Sequence, residues 1–372
     1  MAKVGIGIIG TGSIAGAHLR AYARYPELCR VVAVADIDRQ RAQKFAAGAG
    51  DSVAAYGDYK ELLRRDDIDA VSICTPPFAH AEIAVAALNA GKHVLVEKPM
   101  AASLAEADAM LAAAEQNDKK LAVVFQNRWR HDWMRAKALI DGEHLGRILF
   151  GKVDCLWWRG DEYYDMWWRG TWEQECGGAT INHAIHHIDA FLWLMGEPEW
   201  VIAEMGAVDH DIEVEDLSMA IVRFRNGALG QITSTVAAMH NFDRIEVFGS
   251  KASLALPWAL YSVASQPNGF PKANPEYVEK LQALADGLEL GPQWHEGQIL
   301  DFLEAVTTGK RPLVDGVEGR RSLELVTAIY KSATTGERVQ LPLAPDDPFY
   351  TTEGLRANVV RFPSSKSAVE TL

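Results

Sequence analysis

Val4-Gly5-Ile6-Gly7-Ile8-Ile9-Gly10-Thr11-Gly12-Ser13-Ile14-Ala15 is an apolar run that passes straight into a glycine turn and then into a helical pattern. An apolar run without alternation suits a strand covered on both faces. The turn matches GxGxxA. Gly10 permits the tight bend, Gly12 lets a ligand approach the backbone, and the following helix offers unpaired N–H groups and a positive dipole end to a phosphate. Asp36 closes the next apolar run, 24 residues beyond Gly12. A carboxylate there can accept hydrogen bonds from both hydroxyls of an adenosine ribose and repel a 2′-phosphate. These features predict a dinucleotide site preferring NAD to NADP, with Gly10, Thr11, Gly12, Ser13, Ile14, Asp36 and Ile37 against the cofactor. Arg39 and Arg41 stand close enough to soften that preference. Asp36 reads as a specificity residue, not as a helix cap.

Working outward, apolar runs at residues 4–9, 31–35, 70–74, 93–96 and 121–125 alternate with helical patterns. Strands separated by helices predict a doubly wound parallel sheet over residues 1–126, an α/β architecture. Thr75-Pro76-Pro77 and Glu97-Lys98-Pro99 end two of those strands, where such a sheet opens its ligand crevice. Thr75, Pro76, Pro77 and Glu97 are therefore further candidate cofactor contacts, and His80 reads as structural. After Asn127 the character changes. A helix around residues 133–140 and a tryptophan-rich stretch precede longer alternating runs at 201–207, 217–224, 229–236 and 245–248, with turns at Arg225-Asn226-Gly227 and Gly249-Ser250. They predict a second, α+β domain over residues 127–345, with a large, mostly antiparallel open sheet. Late helices at 296–307 and 318–332 and a polar tail from 346 to 372 complete the chain. That tail reads as held by a contact, such as a neighbouring subunit.

The 372 residues carry 37 Lys and Arg against 50 Asp and Glu, a formal charge of −13. No basic cluster accompanies this balance, which excludes a phosphate-tracking nucleic-acid groove. Cys29, Cys74, Cys155 and Cys176 show no metal spacing and read as reduced thiols. The opening apolar run is too short for a signal peptide, and no stretch reaches the roughly 20 apolar residues that cross a bilayer. A cytoplasmic location is expected.

Two constellations carry chemistry. Lys98, held extended before Pro99, stands where an ammonium can stabilise negative charge on a substrate oxygen. In Gly177-Gly178-Ala179-Thr180-Ile181-Asn182-His183-Ala184-Ile185-His186-His187-Ile188-Asp189, the spacing puts Asn182, His186 and Asp189 on one helix side, and a histidine suits proton transfer near neutral pH. His183 and His187 are four apart, but a metal needs a third ligand from elsewhere. No metal is expected, and both read as buried or interface histidines.

With the glycine turn, Glu-Lys-Pro and the Gly-Gly helix, residues 4–345 resemble the Gfo/Idh/MocA oxidoreductases. The stretches Trp294-His295-Glu296-Gly297-Gln298 and Gly319-Arg320-Arg321-Ser322-Leu323-Glu324 look like that family's closing helices. The resemblance implies a Rossmann domain, a C-terminal α/β domain, homodimers or homotetramers built through the open sheet, and Lys98 and His186 as the catalytic pair. It places Asn127 and Arg128 near the nicotinamide and substrate. Many members have aspartate where this chain has Asn182, which leaves His186 as the base and Asn182 to orient Lys98 or a substrate hydroxyl.

Five of eleven tryptophans, Trp157, Trp158, Trp167, Trp168 and Trp172, fall within sixteen residues. Flat rings cover the C–H face of a sugar while neighbours bond its hydroxyls. Tyr163, Trp168, Arg169 and Trp172 are the expected wall. Asp154 and His295 are expected to add polar contacts, Arg169 is equally consistent with a salt bridge, and His240 is weaker. The expected activity is NAD-dependent oxidation of a secondary hydroxyl of an inositol, free aldose or anhydrosugar. The alternatives are an NAD-dependent glycosidase or eliminating enzyme using transient oxidation, and a non-catalytic NAD-binding regulator.

Overall fold

The computed structural model describes residues 3–50 and 52–365. Six parallel strands form the first sheet: β1 (Val4–Ile9), β2 (Cys29–Ala35), β3 (Ala54–Tyr56), β4 (Ala70–Ile73), β5 (His93–Val96) and β6 (Leu121–Val123), in the order β3-β2-β1-β4-β5-β6. Helices α1 (Ala15–Tyr22), α2 (Arg39–Ala49), α3 (Tyr59–Leu63), α4 (His80–Asn89) and α5 (Leu104–Gln116) cover its faces, so every residue of β1 and β4 is buried. The short strand β3 is absent from the expected five, because three half-buried residues leave no apolar run to recognise. The strand order reverses between β1 and β4, opening the ligand crevice at their carboxyl ends.

After α6 (His131–Asp141), strand β7 (Ile148–Trp158) enters the second sheet. Helix α7 (Ile185–Met195) follows, then β8 (Pro198–Gly206), β9 (Leu217–Phe224), β10 (Leu229–Thr235), β11 (Ala237–Gly249), β12 (Ser253–Leu256) and β13 (Ala259–Tyr261). A separate two-stranded hairpin, β14 (Val263–Ser265) and β15 (Pro271–Ala273), leads to α8 (Pro275–Asp286), α9 (Trp294–Thr308), α10 (Gly316–Thr335), β16 (Val339–Gln340) and α11 (Thr352–Asn358). The large sheet runs β13-β12-β11-β7-β10-β9-β8-β16 and is mostly antiparallel as expected, with β7 and β10 parallel at its centre. Helix α7 lies on one face. Gly151 and Gly230 make room for it, since a Cβ at either would run into Phe191 at 2.8 Å.

The expected boundary between domains is crossed late in the chain. Ile299, Phe302 and Leu303 of α9 pack among Ile6, Ile8 and Tyr22 of the first domain. Gln298 Nε2 donates to the Val123 carbonyl at 2.6 Å. The described part of the tail is held, as expected, and the contacts come from this same chain. Phe349, Tyr350, Leu355 and Val359 are buried, the Tyr350 hydroxyl donates to Asp108 at 2.6 Å, and Arg361 pairs with Glu213 at 2.9 Å. Residues 366–372 of the expected tail lie outside the described residues. Among the described residues no helix is long and apolar enough to cross a membrane.

Candidate active site

The glycine turn has the shape a pyrophosphate needs. Gly10 has φ +87°, and a side chain there would strike the backbone of Cys74 and Thr75 at 2.7–2.8 Å. A Cβ on Gly12 would meet nothing within 4 Å, and α1 starts without a side-chain cap, leaving its first N–H groups for an anion. Ser13 is exposed at this cradle, beside half-buried Ile14. Ile37 is 92% exposed, an apolar side chain left bare beside the crevice. The buried Thr75 Oγ1, where β4 ends, has no partner among the described residues. These residues fit a dinucleotide. Pro76 precedes the turn that Pro77 begins, and His80 ties it down, its ring nitrogens 2.8 Å from the Thr75 carbonyl and 2.7 Å from that of Pro99.

Asp36 is more committed than the sequence suggests. Its carboxylate accepts from the Thr11 N–H and hydroxyl at 2.8 Å each, from the Asp38 N–H at 2.9 Å, and from Arg41 at 3.0 and 2.6 Å. Burial opposes its ionisation, but Arg41 and Thr11 outweigh that and hold the carboxyl below its ordinary range. A ribose reaches it only if Arg41, half exposed, swings away. Asp38, not Asp36, caps α2.

Glu97 turns inward and not towards the crevice, which corrects its expected cofactor contact. It accepts from His18 Nε2 at 3.0 Å and from the Lys98 N–H at 3.2 Å. Burial works against both charges. Cys74 and Glu97 nevertheless raise His18 to about 10, and His18 holds Glu97 below the usual carboxylate range. His18 Nδ1 meets Ser72 Oγ at 3.1 Å, itself bonded to Tyr22. The sequence reading missed His18. Its signal is a polar residue in the stripe Ala15, His18, Ala21, Tyr22 of an otherwise apolar helix face.

Lys98 projects from the first domain to the second, its Nζ donating to the main-chain carbonyl of Asn182 at 2.8 Å. Burial, with Arg169 adding to it and Glu97 opposing, lowers its pKa. The Asn182 side chain does not orient Lys98 as expected. Its amide donates to the carbonyls of Gly177 at 2.9 Å and of Glu175 and Gly178 at 3.3 Å. The cause is local: Thr180–Ala184 forms a π turn, whose extra residue per turn changes the phase of Asn182 relative to α7. Asp189 points elsewhere too, fully buried against Arg128. His186 is left at the crevice, its ring edge-on to Phe125 at 5.8 Å and its Nδ1 buried without a partner. Burial and then Lys98 push it well below 6.5, so it is neutral at working pH.

The remaining expected residues divide sharply. Tyr163 donates from its hydroxyl or accepts from His183 Nε2 at 3.1 Å, and Arg169 lies over Tyr163 and Trp168 at 3.8 and 4.0 Å. Arg169 also pairs with buried Glu175 at 2.7 Å, and Glu175, missed in the sequence, is pushed up to about 7 by burial despite Arg169. Asn127 is buried in the turn after β6, beside the crevice strand ends. Three expected substrate contacts are corrected. Arg128 is 1% exposed and held by Asp189 at 2.8 and 2.7 Å and by Glu318 at 2.7 Å, so it is a strut. Trp172 is buried edge-on to Tyr330 at 4.9 Å, in the core. Asp154 alternates with buried Val153 and Cys155 and so faces the sheet side away from α7. His295 is not among them: half-buried by Glu97, it lies near enough to His186 to lower it, its ring is 5.8 Å from that of His18, and burial lowers it to about 4 against the pull of Glu97.

Residues 4–125 match an oxidoreductase family with an NAD-binding Rossmann fold, and residues 133–255 match the GFO/IDH/MocA C-terminal domain. The chain belongs to the Gfo/Idh/MocA family. It is an NAD-dependent oxidoreductase. Among solved structures it is similar to the WlbA dehydrogenase from Bordetella pertussis in complex with NADH and UDP-GlcNAcA, at 30% identity and a TM-score of 0.82, covering 92% of this chain and 99% of that one. It is similar to levoglucosan dehydrogenase bound to NADH and levoglucosan, at 27% identity and a TM-score of 0.80, covering 92% and 100%. The myo-inositol 2-dehydrogenase of Thermotoga maritima is 26% identical over 344 residues, 90% of this chain and 98% of that protein. The Gfo/Idh/MocA fold thus spans nearly the whole chain.

Proposed function

We propose that this oxidoreductase converts one secondary hydroxyl of a cyclic polyol or sugar, an inositol, free aldose or anhydrosugar, to the ketone. The observation that carries the reading is the bond from Lys98 Nζ to the Asn182 carbonyl at 2.8 Å, which sets an amine of the first domain four residues ahead of His186 on the second. NAD, when bound, supplies the hydride acceptor. Neutral His186 takes the hydroxyl proton at Nε2, the nitrogen left towards the crevice, while Nδ1 is buried. Lys98 keeps one N–H on Asn182 and has two for the oxygen as negative charge develops. Tyr163, Trp168 and Arg169 form the sugar wall. The relatives' named substrates support the class, and their three differing specificities leave the individual sugar open.

The exposed apolar side chains Phe150, Ile202, Met219, Ile221 and Leu229 on the open sheet face support assembly as a homodimer or homotetramer. NADH formation across inositol isomers, aldoses and anhydrosugars tests the reaction. Lys98→Ala is expected to keep NAD binding by calorimetry and to lose about 10²–10³-fold in kcat, the usual effect of removing one donor to a developing oxyanion. Unchanged turnover refutes the role. Product without net NADH points instead to transient oxidation followed by elimination.

A further inference from the structure

Cys155 on β7, His187 on α7 and Asp243 on β11 lie far apart in the chain, yet their ligand atoms all fall within 4.8 Å of one another. Cys155 and Asp243 are directly opposite across the β11–β7 pair, and His187 comes down on them from the helix. His187 is 3% exposed, and neither of its ring nitrogens has a hydrogen-bond partner. Its Nε2 makes only a long ion-pair approach to Asp243 Oδ1, at 3.5 Å, and its Nδ1 meets no partner among the described residues. A buried imidazole with a bare Nδ1 and an Nε2 held only at long range is under-satisfied, and that costs free energy. A ligand that supplies the missing partner removes that cost.

The surroundings suit a cation. Trp157 Nε1 donates to Asp243 Oδ1 at 2.6 Å, steering the carboxylate as outer groups steer metal ligands. The rings of Trp133 and Trp157, 5.8 and 6.3 Å from the imidazole, wall the site, and the 37% exposure of Asp243 gives an ion a route in. The sequence offered His187 no third ligand. The sheet supplies two.

We propose that Cys155, His187 and Asp243 bind one divalent transition-metal ion of the zinc class, with solvent in the fourth position. A thiolate and a carboxylate balance the two positive charges, and sulfur with imidazole selects this class over magnesium or calcium. Bonds of about 2.0–2.3 Å draw the three side chains together by small rotations. The ion ties α7 to β7 and β11 one residue from His186 and touches no reacting atom. The other trio with ligand spacing, His18, Glu97 and His295, is less suited, because both nitrogens of His18 are already bonded to Glu97 and Ser72.

The test uses the untagged full chain, stripped with a chelator and titrated with Zn²⁺ by calorimetry and with Co²⁺ by absorbance. The expected result is one ion per chain, a thiolate-to-cobalt charge-transfer band, and a melting temperature that rises with Zn²⁺ concentration. Cys155→Ser is expected to abolish the band, and His187→Gln and Asp243→Asn to weaken binding at least tenfold. If Cys155→Ser does not fold, the other two variants decide. Absence of stoichiometric binding, or binding unchanged in His187→Gln and Asp243→Asn, overturns the site. NADH formation is measured separately, so failure here leaves the proposed reaction standing.

Discussion

Asp36 accepts five hydrogen bonds, two of them from Arg41, and a carboxylate so engaged has little left for a ribose. Arg41→Ala is therefore expected to lower KM for NAD and raise the NAD-to-NADP preference. Asp36→Ala should raise KM for NAD about 10–100-fold, the range of a charge-assisted hydrogen bond. Initial rates with both cofactors check this pair. Lys98 and His186 make a second residue-scale prediction. His186 is held well below 6.5, so it stays neutral as pH rises from there and activity does not fall at 6.5. Lys98 must be protonated to stabilise the oxyanion, and its pKa is below 10.5, so kcat/KM falls on the alkaline side before 10.5. Lys98→Arg should move that limb upward.

Among elements, the strut Arg128–Asp189 joins the turn after β6 to α7, with Glu318 of α10 as third member. Removing Asp189 takes the two-bond partner from buried Arg128 and leaves it Glu318 alone, so Asp189→Ala should cost up to about 3–5 kcal/mol in denaturant unfolding. The bond between α1 and the end of β5 gives a pH signature. His18 titrates near 10 in the folded chain against 6.5 ordinarily, so its stabilisation is complete below 6.5 and disappears as pH rises through about 10. Glu97 is depressed, so its share is present above its ordinary 4.5 and is lost as pH falls. His18→Gln should lower the melting temperature most near pH 6 and least near pH 10. Most elements were legible because periodicity reports burial: β1 and β5 match to the residue, and β9 does too. The π turn was not, since its sequence is as helical as its neighbours, and Glu215, which accepts from the Gly178 and Thr180 N–H groups at its start, comes from a distant segment.

At the scale of the molecule, α9 and the tail return to close the first domain and brace the second. A chain ending after residue 345 loses buried Phe349, Tyr350, Leu355 and Val359 and the bonds to Asp108 and Glu213, and should melt well below the full chain. Sedimentation should show the full chain as an oligomer, and Ile221→Lys, which places a charge at the centre of the exposed apolar sheet face, should reduce it to monomer.

The sequence by itself determined the two architectures, the glycine cradle, the positions of Lys98 and His186, and the family, because turns, apolar periodicity and strand-end motifs are local in the chain. Only the tertiary structure decided which polar side chains the site keeps. Arg128 and Glu97 stand at expected places, yet burial obliges each polar group to find partners, and partners from distant segments, Asp189 and His18, turned them inward. The same rule brings Cys155, His187 and Asp243 together from three separate elements, a juxtaposition no spacing along the chain encodes.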